Sequence, residues 1–265
     1  MKKLILSLLI ICFASALFAD ETSVSGIYQG KSIYVMNPFA SAGVGYCIFE
    51  VRVNGQVTTD EINSSAFEID LSLYNFKVGD KVNVLIKYKN GCQPKVLNAE
   101  VLQATSTFSA SSLKVNKNNT LTWTTNGESG SLPFIVEQFR WNKWVKIATI
   151  DGKGTPGTNS YEVDVFPHSG ENTFRIKQVD YTKRPRYSRD AKYRNMDPVI
   201  TYSPQKDFTS EILFSASTMY EIYDPYGNLV LKGSGTSADI SSLTKLNKYN
   251  YILHFDNQVI QFNKK

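Results

Sequence analysis

The sequence predicts an all-β protein that folds as three consecutive small β-sandwich modules after an N-terminal signal peptide. Apolar and polar residues alternate with period two along most of the chain, as they do in half-buried strands. Gly, Asn, Asp and Ser interrupt these runs at short intervals, as turn residues do, and helical periodicity is almost absent. A chain of 265 residues suggests about two domains at roughly 100–200 residues each. Small β-modules raise the expected number to three.

Residues 1–19 have the features of a secretory signal peptide. Lys2 and Lys3 precede the apolar run Leu4–Phe13, and small residues up to Ala19 offer a cleavage site. The run is shorter than the roughly 20 residues that a spanning helix needs. Lipidation at Cys12 is disfavoured, because a bulky residue precedes it. We therefore expect an exported protein.

The charge of the mature chain is weakly positive. Without the two lysines of the signal, 27 basic side chains oppose 24 acidic ones, a net charge of +3. This excess does not indicate a nucleic-acid binder by itself.

The first expected module, residues 20–104, contains a strong hairpin signal. Asn54-Gly55 separates FEVRV from QVTTDEI, and this dipeptide suits the two-residue turn of a β-hairpin. Further strands are expected at FEIDL and KVNVLIKY. We expect a small immunoglobulin-like sandwich.

Removal of the signal leaves two cysteines, Cys47 and Cys92. An even pair in an exported chain favours a disulfide. Cys47 has the strand parity of Phe49 and Val51, and Cys92 that of Val84, so both sulfurs are expected to face one interior. A bond across this span stabilises by about 4 kcal/mol in the chain-entropy model. A metal site is disfavoured, because two thiolates without a nearby histidine are a poor ligand set.

The second expected module, residues 105–198, carries six strand candidates at a spacing typical of a two-sheet sandwich. The candidates are SLKV, TLTWTT, PFIVEQF, KWVKIATI, SYEVDV and TFRIKQVD. Trp123 is expected to be the core aromatic residue, packed with Val136 and Phe174. GKGTPG at 152–157 matches a dinucleotide-binding pattern in its letters, but a strand-like segment follows it instead of a helix. We expect a turn loop there.

The third expected module, residues 199–265, has short strands joined by tight turns. Asp224-Pro225-Tyr226-Gly227 fits a turn in which proline fixes one φ and Gly227 takes a positive φ. Asp256-Asn257 is expected to turn the last hairpin. The expected core is Ile212, Phe214, Tyr220, Ile222, Val230, Leu243, Tyr251, Leu253 and Phe255.

No arrangement of residues indicates catalysis, a cofactor or a metal. The two histidines are His168, in an expected loop, and His254, in an expected strand. Neither belongs to a nucleophile or metal-protease motif. We expect structural roles for both and no enzymatic activity.

A basic segment at 181–194, YTKRPRYSRDAKYR, carries a net charge of +5. It is a candidate patch for an anionic ligand such as a phosphate-rich surface glycan, lipopolysaccharide or nucleic acid. The favoured alternative is a solvated hairpin edge whose charges block edge-to-edge pairing. Tyr187 and Trp141 are candidate aromatic contacts, with Trp141 expected to be exposed and Trp144 to pack inward. The basic candidates are Lys183, Arg184, Arg186, Arg189, Lys192 and Arg194.

The last 65 residues or so resemble the C-terminal sorting domain of type IX secretion cargo. The likeness rests on Asp224, Gly227 and Val230 in DPYGNLV, on DISSL at 239–243, and on the closing residues. The closing residues are Tyr251, Lys264 and Lys265. Ser203-Pro204-Gln205 replaces the Pro-Asn-Pro opening that family members usually carry. The resemblance implies that the turn at Asp224 and Gly227 belongs to a folded export signal.

The second module is similar to the fibronectin type III-like domain that often precedes such a sorting domain. The segments that carry this likeness are LTWTTNGESGSLPFIVEQ and NTFRIKQVDYTKRPRYS. Together the two resemblances cover about the last 160 residues.

Two functions remain open. The first is a non-catalytic cargo of the type IX secretion machinery that acts in binding or adhesion at the cell surface. The second is a periplasmic or outer-membrane-associated accessory subunit whose β-modules dock onto an outer-membrane protein complex. Neither requires a specific nucleic-acid partner.

Overall fold

The computed structural model describes residues 19–40, 44–246 and 249–265. The predicted signal peptide therefore lies, apart from Ala19, outside the described residues. The protein is all-β, as the sequence predicts. It divides into two compact units, Met1–Gln103 and Ala104–Lys265, which are described separately below. Within the described ranges, no helix is both long and apolar enough to cross a membrane.

Unit 1 is a sandwich of two antiparallel sheets. One sheet has the order β1-β6-β3-β4, and the other has the order β5-β2-β7. The core between them contains Ile33, Val35, Val51, Ile69 and Val84, all fully buried. The strands are β1 (Asp20–Ile27), β2 (Ile33–Met36), β3 (Ile48–Val53), β4 (Gln56–Val57), β5 (Ala66–Ile69), β6 (Lys81–Tyr88) and β7 (Lys95–Val96), with 3-10 helices at Leu71–Tyr74 and Ala99–Leu102.

The hairpin between β3 and β4 is confirmed. Val53 pairs with Gln56 across the two-residue turn. Asn54 and Gly55 both have positive φ, 48° and 85°. Asparagine and glycine tolerate this left-handed backbone, which explains why the dipeptide predicts the turn.

The disulfide between Cys47 and Cys92 is confirmed, with Cα atoms 5.8 Å apart. The parity that linked Cys47 to Phe49 is wrong. A register shift between Ile48 and Glu50 places an extra residue in β3, and Phe49 is 49% exposed. Because of the bulge, Ile48 faces the core in place of Phe49, whereas Val51 faces the core as predicted.

The first part of unit 2 packs a three-stranded sheet against a five-stranded sheet. At one edge of the larger sheet, two short strands, β14 and β15, pair with different stretches of β13. The three-stranded sheet has the order β12-β9-β8. The second has the order β11-β10-β13-β14, and β15 also pairs with β13. Trp123 is buried with Val136 and Phe174, as predicted. The strands are β8 (Ser109–Val115), β9 (Thr120–Asn126), β10 (Phe134–Arg140), β11 (Lys143–Ile150), β12 (Asn159–Asp164), β13 (Gly170–Val179), β14 (Pro185–Tyr187) and β15 (Ala191–Asn195).

The GKGTPG segment is a loop, as predicted, and a buried carboxylate holds it. Glu128 accepts hydrogen bonds from the backbone N–H of Gly154 at 2.7 Å and from the hydroxyl of Tyr161 at 2.7 Å. Gly154 has φ +73°, and a Cβ there would lie 2.5 Å from the backbone nitrogen of Ser131. Glycine is therefore required by close approach and by backbone conformation.

The second part of unit 2 is a five-stranded sheet of order β16-β17-β19-β20, with β18 also paired to β17. Tyr220 and Leu243 pack partly buried against its core. The other predicted core residues, apart from Val230, are buried in it: Ile212, Phe214, Ile222, Tyr251, Leu253 and Phe255. The strands are β16 (Tyr202–Ser203), β17 (Glu211–Tyr223), β18 (Leu229–Asp239), β19 (Tyr251–Phe255) and β20 (Gln258–Phe262).

The prediction that Val230 belongs to this core is wrong. Ile222 pairs with Leu231 but Tyr223 pairs with Leu229, so Val230 is the extra residue of a bulge. Its side chain is 41% exposed. A bulged residue has no direct partner across the ladder, and its side chain leaves the expected face.

The turn between β17 and β18 is confirmed. Gly227 has φ 85°, and its N–H donates to the carbonyl of Asp224 at 3.0 Å. The Asp224 carboxylate accepts from the N–H groups of Tyr226 and Asn228 at 2.9 and 2.8 Å. These bonds lower the pKa of Asp224, with the Asn228 side chain contributing most. The turn is therefore fixed by its own residues.

Candidate ligand-binding surface

One side of the sheet formed by β11, β10, β13, β14 and β15 faces away from the core of its sandwich. We call this side the outer face. Phe134, Val136 and Phe174 point into the core. Alternation along the strands sends their neighbours outward. The register places Glu137 opposite Arg175 and Lys146, Phe139 opposite Trp144, Lys177 opposite Tyr187, and Thr173 opposite Lys192.

A cation lies between two aromatic rings on the outer face. The guanidinium carbon of Arg175 lies 3.9 Å from the ring centroid of Trp144 and 4.1 Å from that of Tyr187. Phe139 meets Trp144 edge-on, with centroids 5.4 Å apart. Each cation–π contact stabilises by about 0.5–1 kcal/mol at an exposed site. The stack therefore holds Arg175 in a fixed orientation on the sheet.

An ion pair with Glu137 also holds Arg175. Its carboxylate accepts from Arg175 Nε at 2.7 Å and lies 3.5 Å from Lys177 Nζ. The Glu137 side chain is only 8% exposed. Among the described residues, the hydrogen bonds of this guanidinium are confined to Nε. The Arg175 side chain as a whole is 18% exposed, and its Nη edge has no hydrogen bond to the described residues.

The outer face is positively charged. The register brings five cations and two carboxylates to it, a net charge of +3. Of these, Arg194 is 3.8 Å from Glu171, and both side chains are largely exposed. The cations are Lys146, Arg175, Lys177, Lys192 and Arg194.

The structure distributes the six basic candidates over several places. Lys192 and Arg194 lie on the outer face, beside the candidate Tyr187. Arg186 has the opposite parity, and its Nε donates to the carbonyl of Ser106 at 2.7 Å. The other three are exposed in connections: Lys183 and Arg184 between β13 and β14, and Arg189 between β14 and β15.

The inward packing predicted for Trp144 is wrong. Glu137 pairs with Lys146 whereas Val136 pairs with Ala148, so Ile147 is an extra residue in β11. Val145 is buried, and its neighbour Trp144 lies half-buried on the outer face. The sequence gives no local signal of this bulge.

Trp141 lies apart from the outer face, at the junction between the two parts of unit 2. Its Nε1 donates to the backbone carbonyl of Asp256 at 3.1 Å. Its ring lies 5.3 Å from that of His254 and 5.0 Å from the Arg140 guanidinium. The indole is half-buried by these contacts, so it does not share a surface with Tyr187.

Asp256 is the centre of this junction and is fully buried. Its carboxylate accepts from the N–H and the hydroxyl of Ser169 at 2.8 and 2.6 Å. It also accepts from the N–H of Ile200 at 3.3 Å. Lys143 reaches across the junction to Glu221 at 2.6 Å. A network of charged and polar groups therefore joins the two parts.

Arg140 is buried beside this network. Its Nη2 donates to the carbonyl of Phe166 at 3.2 Å. Burial lowers the pKa of Arg140 to about 10, and the charges of Asp256 and Glu221 oppose that shift. The guanidinium is thus a buried charge whose nearby counter-charges belong to the C-terminal part.

Both histidines of the chain also lie at the junction. Nδ1 of His168 faces the carbonyl of Ser169 at 2.8 Å. The ring of His254 lies between Trp141 and Tyr223, with centroid distances of 5.3 and 5.0 Å. Burial lowers the pKa of both imidazoles.

The proximity of His168, Ser169 and Asp256 does not create a catalytic triad. The Ser169 hydroxyl donates directly to Asp256, whereas His168 faces the main chain of Ser169. A serine nucleophile needs its hydroxyl bonded to the imidazole. The three residues therefore build structure. In the part of the chain that the structure describes, no group of three or more His, Cys, Asp or Glu could hold a metal ion.

No protein-family model and no curated protein matches this chain. Solved structures with a β-rich likeness include a tetra-tandem repeat from the extending region of a large adhesion protein, 12% identical over 92% of this chain and 73% of that one, with a TM-score of 0.31. The fibronectin(III)-like modules of Clostridium thermocellum CbhA are 10% identical over 60% of this chain and 94% of that one, TM-score 0.21. The chicken CNTN1 FN1–FN3 domains are 13% identical over 94% and 96%, TM-score 0.24. These values carry no ligand or activity over to this chain.

Proposed function

We propose that this chain is a non-catalytic, exported binding protein that acts at the cell surface, and that the outer face is its ligand-contacting surface. The observation that carries the proposal is the Trp144–Arg175–Tyr187 stack, held by Glu137 on a solvent-facing sheet. Trp, Tyr and Arg are the residue types most enriched at binding hot spots.

The composition of the outer face supports binding over a purely structural role. Phe139 and Tyr187 are 41% and 43% exposed. Their rings and the adjacent cations form a mixed apolar and charged surface. Rigid aromatic side chains lose little conformational entropy when a ligand covers them.

Export by the type IX machinery is part of the proposal. It is supported by the Asp224–Gly227 turn, which its own hydrogen bonds fix in a defined shape. Tyr226 at its tip is 81% exposed and accessible to a receptor. This surface is what a folded sorting signal would present.

One observation favours the second candidate, a retained accessory subunit. Asp256 satisfies Ser169 and lies near the buried Arg140. Removing the C-terminal part would leave these groups without their partner, and uncompensated buried charge is costly. A cargo whose tail is cleaved would lose this network.

Protease accessibility on intact cells tests the proposed location. We expect the protein to be digested on intact cells and the exposed segment 181–194 to be labelled by an antibody raised against that peptide. Digestion only after the outer membrane is opened, with Lys265 retained in the mature protein, would instead support the accessory subunit.

A reporter fusion tests the export signal separately. Residues 104–265 form one compact unit, so this unit is fused to a periplasmic reporter. We expect the reporter to reach the surface and Gly227→Val to prevent this, because valine is strained at φ +85°. Gly127→Val in the same fusion is the matched control, at φ +75° with the nearest atom, the carbonyl oxygen of Thr107, 3.7 Å from the added Cβ. Export of the Gly227→Val fusion at the normal level would contradict the role of the turn.

A further inference from the structure

We infer that the outer face binds an acidic polysaccharide, with uronate carboxylates at Arg175 and sugar rings on Tyr187 and Phe139. This inference rests on the proposed function, because it assumes that the outer face is the binding surface. It adds the chemical class of the ligand.

The first argument is the orientation of the Arg175 guanidinium. The centroids of Trp144 and Tyr187 both lie about 4 Å from its carbon, so rings cover its flat sides. Glu137 occupies Nε. A guanidinium presents its N–H groups in its own plane and can bind a carboxylate through two of them. The Nη edge is therefore held ready for an oxyanion before any ligand arrives.

The second argument is charge. The outer face carries a net charge of +3, the same as the whole mature chain. Lys192 and Arg194 add exposed cations along β15. A repeating acidic polymer would meet several of these cations at once, whereas a neutral glycan would leave them unused.

The third argument is the combination of rings and cations on a flat surface. Tyr187 is the ring at one end of the stack, and Phe139 lies beside Trp144 at the other end; the two rings are 43% and 41% exposed. A purely electrostatic site for a polyanion needs no such rings. Alternating sugar rings and carboxylates match alternating aromatic and cationic side chains, since an apolar ring face covers aromatic surface while the carboxylate reaches the guanidinium.

Binding to polygalacturonate tests the inference, with the fully methyl-esterified polymer as the neutral form of the same backbone. By isothermal titration calorimetry at low salt, we expect the acid form to bind at least tenfold more tightly than the ester. Raising the salt should weaken the binding, because exposed charges are screened.

Two variants locate the binding. Tyr187→Ala removes an exposed ring, and Arg175→Gln removes the cation; each should weaken binding at least tenfold. Tyr226→Ala, which removes an 81% exposed ring in a different part of unit 2, is the matched control and should bind as the native protein does. Thermal unfolding of each variant checks that the fold is kept. Tyr187→Ala keeps the test valid if Arg175→Gln unfolds the protein.

Each outcome decides a different point. Equal binding of acid and ester polymers would overturn the acidic class and leave the outer face as a binding surface. Equal binding of polyglutamate, unaffected by Tyr187→Ala, would reduce the site to bulk charge and overturn the polysaccharide. No binding to any polymer by a surface-exposed protein would overturn the inference alone. Failure of the accessibility experiment on intact cells would overturn the proposed function.

Discussion

Two tryptophans three residues apart, Trp141 and Trp144, each make a cation–π contact with an arginine, but in different surroundings. Each has an arginine over its ring, Arg140 at 5.0 Å and Arg175 at 3.9 Å. At the junction, the C-terminal part of unit 2 covers the pair, and its Asp256 accepts the indole hydrogen bond. On the outer face, Tyr187 lies over the same cation as Trp144. The Arg140 pair is covered by protein, with Arg140 3% exposed, whereas the Arg175 side chain is 18% exposed on the outer face, where we propose that a ligand binds.

The largest effect is expected at the centre of the junction. Asp256→Ala leaves the buried N–H of Ser169 without its acceptor and removes one of the two counter-charges near Arg140, so we expect a loss of about 3–5 kcal/mol in the free energy of unfolding. All three tryptophans lie in unit 2, so tryptophan fluorescence during denaturant unfolding reports on this unit. Asp197→Ala, at an exposed position, is the control. A loss below about 1 kcal/mol would mean that the junction does not hold the two parts together.

Local signals allowed much of the fold to be predicted. Asn54-Gly55 and Gly227 specify their turns because their backbones adopt positive φ with little strain. The alternation around Trp123 placed it in the core. The errors at Phe49, Val230 and Trp144 share one cause, a bulge in the strand or in its pairing. A bulge depends on the partner strand, and one strand's sequence does not reveal it.

The candidate surface could be predicted only in part. Tyr187, Lys192 and Arg194 were identified within one charged segment. Trp144 and Arg175 join them through the order of the strands, which the alternating pattern does not give. The junction is still less visible, since Ser169 and Asp256 are 87 residues apart. Long-range register, which decides both sites, is set by packing of the whole unit.

The disulfide gives the next largest effect and separates the two units. Replacing Cys47 and Cys92 with serine should lower the free energy of unfolding by about 2–4 kcal/mol, because the unfolded chain is no longer closed into a loop and gains conformational entropy. We expect the far-ultraviolet circular dichroism transition of unit 1 to move to lower denaturant. The tryptophan transition should stay in place, because unit 1 contains no tryptophan. Movement of both transitions together would show that the units unfold as one.

The tryptophan pair itself provides a direct comparison. Trp141→Ala removes a half-buried ring and its hydrogen bond, at an expected cost of about 2 kcal/mol. Trp144→Ala removes a surface stack, at about 1 kcal/mol or less. Denaturant unfolding of the two variants measures the difference. Equal losses would erase the distinction between the covered pair and the exposed one.

The smallest effect is a pH dependence of the junction. Burial lowers the pKa of His168 and His254, so the unfolded chain binds protons more readily than the folded one. The contribution of the neutral imidazoles to stability is complete above pH 6.5 and decreases as the pH falls below that value. The melting temperature should therefore fall between pH 7.5 and 5.5. His168→Asn with His254→Phe should flatten this dependence, and an unchanged slope would assign it to other groups.

The most direct test of the central claim is the solvent accessibility of Trp144 with and without ligand. In a Trp141→Phe variant, Trp144 is the accessible tryptophan, because Trp123 is 1% exposed. We predict that acrylamide quenches its fluorescence in the free protein and that saturating polygalacturonate protects it, while the methyl-esterified polymer does not. Quenching that is unchanged by a polymer shown to bind would contradict the claim and place the ligand elsewhere on the protein.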